Sequence, residues 1–151
     1  MKRLISFVFA GLMATAAAAQ SAQESADDPL FISGVTSNLS EFHWKKRPVV
    51  VFADSVDDPR YIEQIELLEK RAEELVERDV VVLTDTDPAA RSALRLKMRP
   101  RGFMLVLVGK DGRIKLRKPF PWDVREITRS IDKMPLRQRE IREAKETETG
   151  E

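Results

Sequence analysis

Three short apolar runs indicate buried strands, at residues 49–53, 80–83 and 103–108. Each run is continuous rather than alternating, which is typical of a strand covered on both faces. A fourth run, 113–117, alternates between apolar and basic residues, and this period of two is typical of an edge strand. Because Asp111-Gly112 is a strong turn signal, we expect the last two strands to form a hairpin.

Helical periodicity fills the segments between these strands. Asp58 and Pro59 form a cap-and-proline start, and we predict a helix from there to about Arg78. Its apolar residues recur at steps of three and four; they are Ile62, Ile65, Leu68, Ala72, Leu75 and Val76. The same start signal predicts a second helix over about 88–97. A last helix is predicted from Val124, Ile127, Ile131 and Met134, with Pro135 as an interruption.

The resulting order is β-α-β-α-β-β-α, an α/β protein. A helix joins the first two strands, so they should be parallel, and the hairpin adds two antiparallel strands. A mixed four-stranded sheet with helices on both faces is the thioredoxin-like three-layer sandwich, which we expect over residues 38–136. Within it, 38–47 should be a short turn or helix that packs on the body through Leu39, Phe42 and Trp44.

The two ends of the chain differ from this body. Lys2 and Arg3, an apolar stretch and three alanines indicate a signal peptide over residues 1–19, cut before Gln20; an uncleaved anchor is the alternative. Residues 20–37 are small and polar apart from Leu30-Phe31-Ile32, and indicate a flexible leader. Residues 137–151 are charged and should form a solvated helical extension that frays. The expected location is periplasmic or secreted, with no stable membrane span after cleavage.

Composition excludes several kinds of chemistry. The chain has 151 residues, no cysteine and one histidine, so thiol nucleophiles, disulfide exchange and cysteine metal sites are impossible. Without residues 1–19 there are 24 basic and 25 acidic residues, a balance that does not suit a nucleic-acid binder. We expect no cofactor and no bound metal. The partner should be an unknown protein or small ligand, and the oligomeric state stays open.

Several stretches also resemble a bacterial and animal domain of unknown function, family 4174, over roughly residues 37–143. They are Trp44-Lys45-Lys46-Arg47-Pro48, the segment from Gly102-Phe103 to Gly109-Lys110-Asp111-Gly112, and Ile131-Asp132-Lys133-Met134-Pro135-Leu136-Arg137. The resemblance implies a thioredoxin-like fold nearest the peroxiredoxin-like branch. It also implies an extracellular setting, because animal members occur in sushi-repeat proteins. It implies no particular activity.

The same resemblance shows that this chain does not carry the redox residues of its active relatives. Redox-active relatives carry cysteine between the first strand and the first helix, whereas this chain has Asp54-Ser55-Val56-Asp57-Asp58 there. They also carry a cis-proline just before the third strand, whereas this chain has Arg101-Gly102 at that place. Dithiol exchange and thiol peroxidase activity are therefore excluded chemically.

The first candidate site is a binding rim at the carboxyl edge of the sheet, where ligands of open α/β sheets tend to bind. Its members are Asp54, Ser55, Asp57, Asp58, Arg99, Arg101 and Gly102. Asp54 and Arg101 are expected to form an ion pair, as a ligand clamp or as a purely structural contact. The alternative for the acidic residues is a helix cap at Asp58 beside solvated turn residues. No residue is assigned a catalytic role.

The second candidate is a basic face on the hairpin, formed by Arg113, Lys115 and Arg117. Residues 97–118 carry a net charge of +7, whereas residues 54–87 carry −8. This polarity suits an acidic partner, but charged side chains also protect an edge strand from pairing with other chains. His43 and Trp122 are most simply packing residues.

These observations favour an exported, redox-inactive binding module over two alternatives. One is a cysteine-independent enzyme that uses Asp54 or Asp57 with Arg101 at the rim. The other is a structural envelope protein held by its charged C-terminal extension.

Overall fold

The computed structural model describes residues 28–150. The predicted signal peptide and its cleavage site lie outside the described residues, as do residues 20–27 of the predicted leader. Five strands form one sheet in the order β1-β3-β2-β4-β5. They are β1 (Phe31–Ser33), β2 (Arg47–Phe52), β3 (Val80–Asp85), β4 (Met104–Val108) and β5 (Ile114–Lys118).

The helices are α1 (Pro59–Lys70), α2 (Ala72–Val76), α3 (Ala93–Met98), α4 (Val124–Asp132) and α5 (Pro135–Thr149). Short 3-10 turns precede β2 at Leu39–Phe42 and α3 at Pro88–Ala90. The expected α/β thioredoxin-like sandwich is confirmed in its layers and in the order of its central elements.

The sheet has one more strand than the sequence predicts. β1 lies inside the expected flexible leader and pairs in parallel with β3, with Phe31 opposite Val82. Leu30 and Phe31 pack against the core on one face of the sheet, whereas Ile32 packs against the core on the other. The apolar patch in the leader is thus an edge strand, because burying it on both faces outweighs the polarity around it.

The central pairings follow the prediction. β2 and β3 are parallel, with Val49 opposite Val82, whereas β4 runs antiparallel to both β2 and β5. The sheet therefore has two ends. Its rim end holds the last residues of β2 and β3 and the first of β4, and its opposite end holds the start of β2 and the turn after β4.

Two cores cover the two faces of the sheet, because alternate strand residues point to opposite sides. Val49 and Val51 join Leu68 and Ile127 in the core under α1, α2 and α4. The residues between and after them, such as Val50 and Phe52, pack with Leu94 and Met98 of α3 on the other face.

The helix predicted to run to Arg78 is broken at Arg71, whose φ of −128° and ψ of 37° end α1. Leu68 and Leu75 are buried as expected, but Ile62 and Val76 are exposed. Ile62 lies within α1 and Val76 is the last residue of α2, so the predicted apolar stripe is not buried along its whole length.

α5 differs from the predicted fraying extension in its first turns. Arg47, only 1% exposed, lies at the start of β2, and its Nη2 donates to Oε1 of Glu140 on α5 at 3.0 Å. Lys110 donates to the same oxygen at 2.8 Å. These contacts attach α5 to the opposite end of the sheet.

Candidate binding site

The acidic members of the predicted rim are mostly turn and cap residues. Oδ1 of Asp58 accepts from the Arg60 backbone N–H at 2.9 Å and caps α1. The Arg60 side chain also donates to this carboxylate, and its hydrogen bonds lower the pKa of Asp58. Oγ of Ser55 accepts from the backbone N–H of Asp57 at 3.1 Å.

The predicted pairing of Asp54 with Arg101 is wrong. Oδ1 of Asp54 lies 3.7 Å from Nη1 of Arg95, and both Asp54 and Arg101 are exposed. Arg95 takes the place of Arg101 because its guanidinium is already held beside Asp54: Nη2 donates to the carbonyl of Ala53 at 2.8 Å.

The remaining rim residues lie in a loop with two left-handed backbone positions. Arg99 ends α3 with a φ of 50°, and Gly102 has a φ of 65°. The guanidinium of Arg60 lies 5.7 Å from the centre of the Phe103 ring and close to Gly102. Arg60 thus joins the α1 side of the rim to the loop side. Sequence reasoning missed it, although its position two residues after the Asp58 cap was a usable signal.

Beneath the rim lies a buried polar cluster that the sequence analysis also missed. Asp85 is fully buried at the end of β3 and accepts a hydrogen bond from the Ser92 hydroxyl. Arg95 donates to Oδ1 of Asp85 through Nη2 at 3.0 Å. A buried charge is stable only when it is paired and hydrogen-bonded, so this cluster fixes the approach of α3 to the sheet.

The predicted basic face is less uniform than its sequence suggests. Arg117 donates to the carbonyl of Met98 at 2.6 Å. Nζ of Lys115 lies 2.9 Å from a carboxylate oxygen of Asp111, and Arg113 is exposed. Arg117 thus contacts the end of α3 and Lys115 contacts the hairpin turn, so only part of the charge of this face is free to act on a ligand.

The opposite end of the sheet holds a cavity of about 350 Å³, which we call the tryptophan cavity. Its lining comes from the segment before β2, the turn after β4, the edge strand β5 and the start of α5. The lining residues are Trp44, Arg47, Gly109, Lys110, Asp111, Lys115, Met134, Pro135, Leu136 and Arg139. The three stretches that carry the family resemblance therefore meet at one place.

Trp44 stands at this cavity in an unusual conformation. We expected it to pack on the body, yet 67% of it is exposed and its φ is 61°. A bulky residue in the left-handed region is strained. The position is fixed by a hydrogen bond of 2.8 Å from its backbone N–H to the carbonyl of Lys110. Strain that a fold maintains at an exposed aromatic residue is typical of functional positions.

His43 and Trp122 contact other parts of the domain. The His43 ring lies directly over Gly112, whose φ is 75°. The carbonyl of Trp122 accepts from Gln64 at 3.0 Å, and Trp122 packs against the core. Trp122 is therefore a packing residue, whereas His43 is exposed and contacts the turn at Gly112.

An ion network closes the inner side of the tryptophan cavity. Glu140 accepts from both Arg47 and Lys110, and Lys110 also donates to Asp79 at 2.7 Å. Burial raises the pKa of Glu140, but the hydrogen bonds from Lys110 and Arg47 outweigh burial and hold that pKa below its ordinary value. Glu140 is therefore an ionised structural counter-charge.

A second, larger cavity of about 630 Å³ lies beside β1. Its lining includes Leu30, Ile32, Phe42 and Val76, together with Asp28 and Pro29.

Two absences concern the described residues only. Within residues 28–150, no group of three or more His, Cys, Asp or Glu side chains is placed to hold a metal ion. None of the helices in this part of the chain has the length and apolar character needed to cross a bilayer.

A comparison with known protein families identifies the family of this chain. The model of a domain of unknown function, DUF4174, matches residues 38–140. The chain belongs to the DUF4174 family. The match covers the strands β2 to β5 and ends at Glu140, so this DUF4174 domain includes the ion network and the whole lining of the tryptophan cavity.

Solved structures similar to this DUF4174 domain include redox proteins. The reduced 2-Cys peroxiredoxin of Plasmodium vivax is 18% identical, covers 64% of this chain and 81% of its own, and has a TM-score of 0.51. A chloroplastic thioredoxin z is 23% identical, covers 68% of this chain and 92% of its own, and has a TM-score of 0.47. The peroxiredoxin likeness shows a shared fold, and the absence of cysteine from the sequence separates this chain from thiol chemistry.

Proposed function

We propose that this protein is an exported, redox-inactive binding module, and that its ligand surface is the tryptophan cavity. The observation that carries the proposal is Trp44, an exposed aromatic residue in a left-handed conformation beside a cavity. Protein folds stabilise such positions at a cost of about 1–3 kcal/mol. A binding role for the exposed indole accounts for that cost.

The rim is the weaker candidate surface. Its carboxylates either cap α1, as Asp58 does, or lie exposed, as Asp54 and Asp57 do. An enzyme that used Asp54 or Asp57 as acid or base would need these groups in a closed, water-excluding pocket. This geometry favours binding over catalysis.

A capture experiment with matched variants tests the binding surface. The full chain would be cross-linked in a periplasmic extract, and its partners identified by mass spectrometry, for the wild type, Trp44→Ala and Asp54→Ala/Arg101→Ala. We expect a specific ligand or partner that the Trp44 variant loses and the rim variant keeps. Loss in the rim variant alone would move the site to the rim, and no specific capture by any folded form would contradict the binding module.

The export part of the proposal has its own test. In fractionated cells, the mature protein should appear outside the cytoplasm with Gln20 at its N-terminus. A cytoplasmic protein that retains Lys2 and Arg3 would contradict export and would leave the binding surface untouched.

A further inference from the structure

The tryptophan cavity presents an apolar wall beside positively charged side chains. Trp44, Met134 and Leu136 supply the apolar surface, and Lys115 and Arg139 supply cations. Arg139 is exposed on α5 and, among residues 28–150, forms no salt bridge, whereas the neighbouring Arg137 lies 3.5 Å from Glu140. A ligand that fits this lining has one apolar part and one anionic part.

The inner cations of the cavity are already neutralised. Arg47 and Lys110 share Glu140, and Lys110 also contacts Asp79. Lys115, by contrast, pairs only with Asp111 among residues 28–150, and both side chains are about one-third exposed. Such a surface pair contributes little, so Lys115 can exchange Asp111 for a ligand anion at small cost.

The start of α5 adds to the positive potential. α5 is 15 residues long. Its N-cap residue, Met134, makes no side-chain hydrogen bond to the backbone, and its first turn carries no acidic residue. The amino end of a helix bears a partial positive charge that favours anions. Because Met134, Pro135 and Leu136 line the cavity, this charge acts beside the same cations.

We propose that the tryptophan cavity binds a carboxylate attached to an apolar or aromatic group. This inference rests on the proposed binding function and names its ligand chemistry. The apolar group lies against Trp44 and the wall formed by Met134 and Leu136, and the carboxylate is bound by Arg139 and Lys115. A planar guanidinium matches a carboxylate through two parallel hydrogen bonds. The carboxylate can belong to a free organic acid or to the C-terminus of a partner peptide.

The two tryptophans of the chain provide a site-specific readout. In a ¹⁵N-labelled full chain, the two indole N–H signals are assigned with Trp44→Phe. The probes are N-acetyl-phenylalanine, its C-terminal amide, and N-acetyl-Ala-Ala-Phe with a free carboxylate. We expect the free acids to move the Trp44 signal saturably and to leave Trp122 unmoved, with the amide binding about tenfold more weakly because it lacks the charge.

Variants of α5 test the assigned cation. Arg139→Gln should weaken binding of the acids by roughly five- to tenfold and leave the amide unaffected. Arg142→Gln, also exposed on α5, should change neither affinity. Tighter binding of the tripeptide than of N-acetyl-phenylalanine would assign the ligand to a peptide C-terminus, and the reverse order to a free acid.

Two results would overturn this inference. Equal affinity for acid and amide would show that the charge is not recognised. No movement of the Trp44 signal by any probe up to about 20 mM would exclude this ligand chemistry. Either result leaves the proposed binding function standing if the cross-linking experiment still shows capture that depends on Trp44.

Discussion

Arg47 at the start of β2 and Glu140 on α5 form a nearly buried ion pair across 93 residues of sequence. Removing the Glu140 carboxylate deprives two nearly buried cations, Arg47 and Lys110, of a shared negative charge. Loss of one partner of a buried pair is strongly destabilising. Glu140→Gln should therefore lower the free energy of unfolding by about 3 kcal/mol, measured by urea denaturation. Glu143→Gln, exposed on the same helix, should change it little, and equal losses in both variants would contradict the role of Glu140.

Stability should also fall in acid. The pKa values of Glu140 and Asp132 are both below their ordinary values; Arg78 lowers that of Asp132, whereas Lys110 and Arg47 outweigh burial at Glu140. A carboxyl whose pKa is lower in the folded state contributes stability above its unfolded pKa and loses it as pH falls through the folded pKa. The free energy of unfolding should decrease from about pH 5 to about pH 3. Glu140→Gln should make this decrease shallower, and an unchanged slope would contradict the assignment.

Trp44 should be replaceable without loss of stability. Asparagine tolerates the left-handed region, whereas a bulky side chain does not. Trp44→Asn should leave the free energy of unfolding unchanged or raise it by up to about 1 kcal/mol, while abolishing capture of the ligand. Thermal denaturation and the capture assay would measure the two effects. A loss above about 2 kcal/mol would instead identify Trp44 as a packing residue.

Gly112 should resist substitution for two separable reasons. Its φ is 75°, and an added methyl group would overlap the His43 ring. Gly112→Ala should cost about 1–2 kcal/mol. In the double variant with His43→Ala the overlap is gone but the backbone strain remains, so only part of the loss should be recovered. Full recovery would show that the backbone conformation contributes nothing.

The cluster beneath the rim should matter more than the exposed rim. Asp85→Ala removes the acceptor of both Ser92 and Arg95 and should cost about 3–4 kcal/mol. Asp87→Ala removes an exposed cap and should cost about 1 kcal/mol. Denaturant unfolding of the two variants makes the comparison, and similar losses would contradict a special role for Asp85.

The sequence predicted the central strands well because their signals are local. Val49, Val81 and Leu105 lie in runs that are more apolar than the segments on either side of them. Tertiary packing therefore had no reason to change the predicted secondary structure. β1 was missed because three residues carry too weak a pattern, and its stability comes from pairing with β3. The break at Arg71 was missed because the apolar spacing continues through it.

The candidate site was harder to predict, for a physical reason. A sequence can mark Asp58 as a helix cap, since the cap and its proline are adjacent. It cannot show that Arg95 rather than Arg101 reaches Asp54, or that Trp44, Lys115 and Arg139 border one cavity, because these contacts depend on how distant elements pack. The stretches that resemble the family were visible, but their meeting at one end of the sheet was not.

The ion pair between Arg47 and Glu140 also bears on the order in which this chain folds. During synthesis the first four strands emerge well before residue 140, and until then the guanidinium of Arg47 lacks its carboxylate. Closing so long a loop is entropically costly and slow. We therefore expect docking of α5 to be a late step of folding, and its release to loosen the end of the sheet that holds the tryptophan cavity.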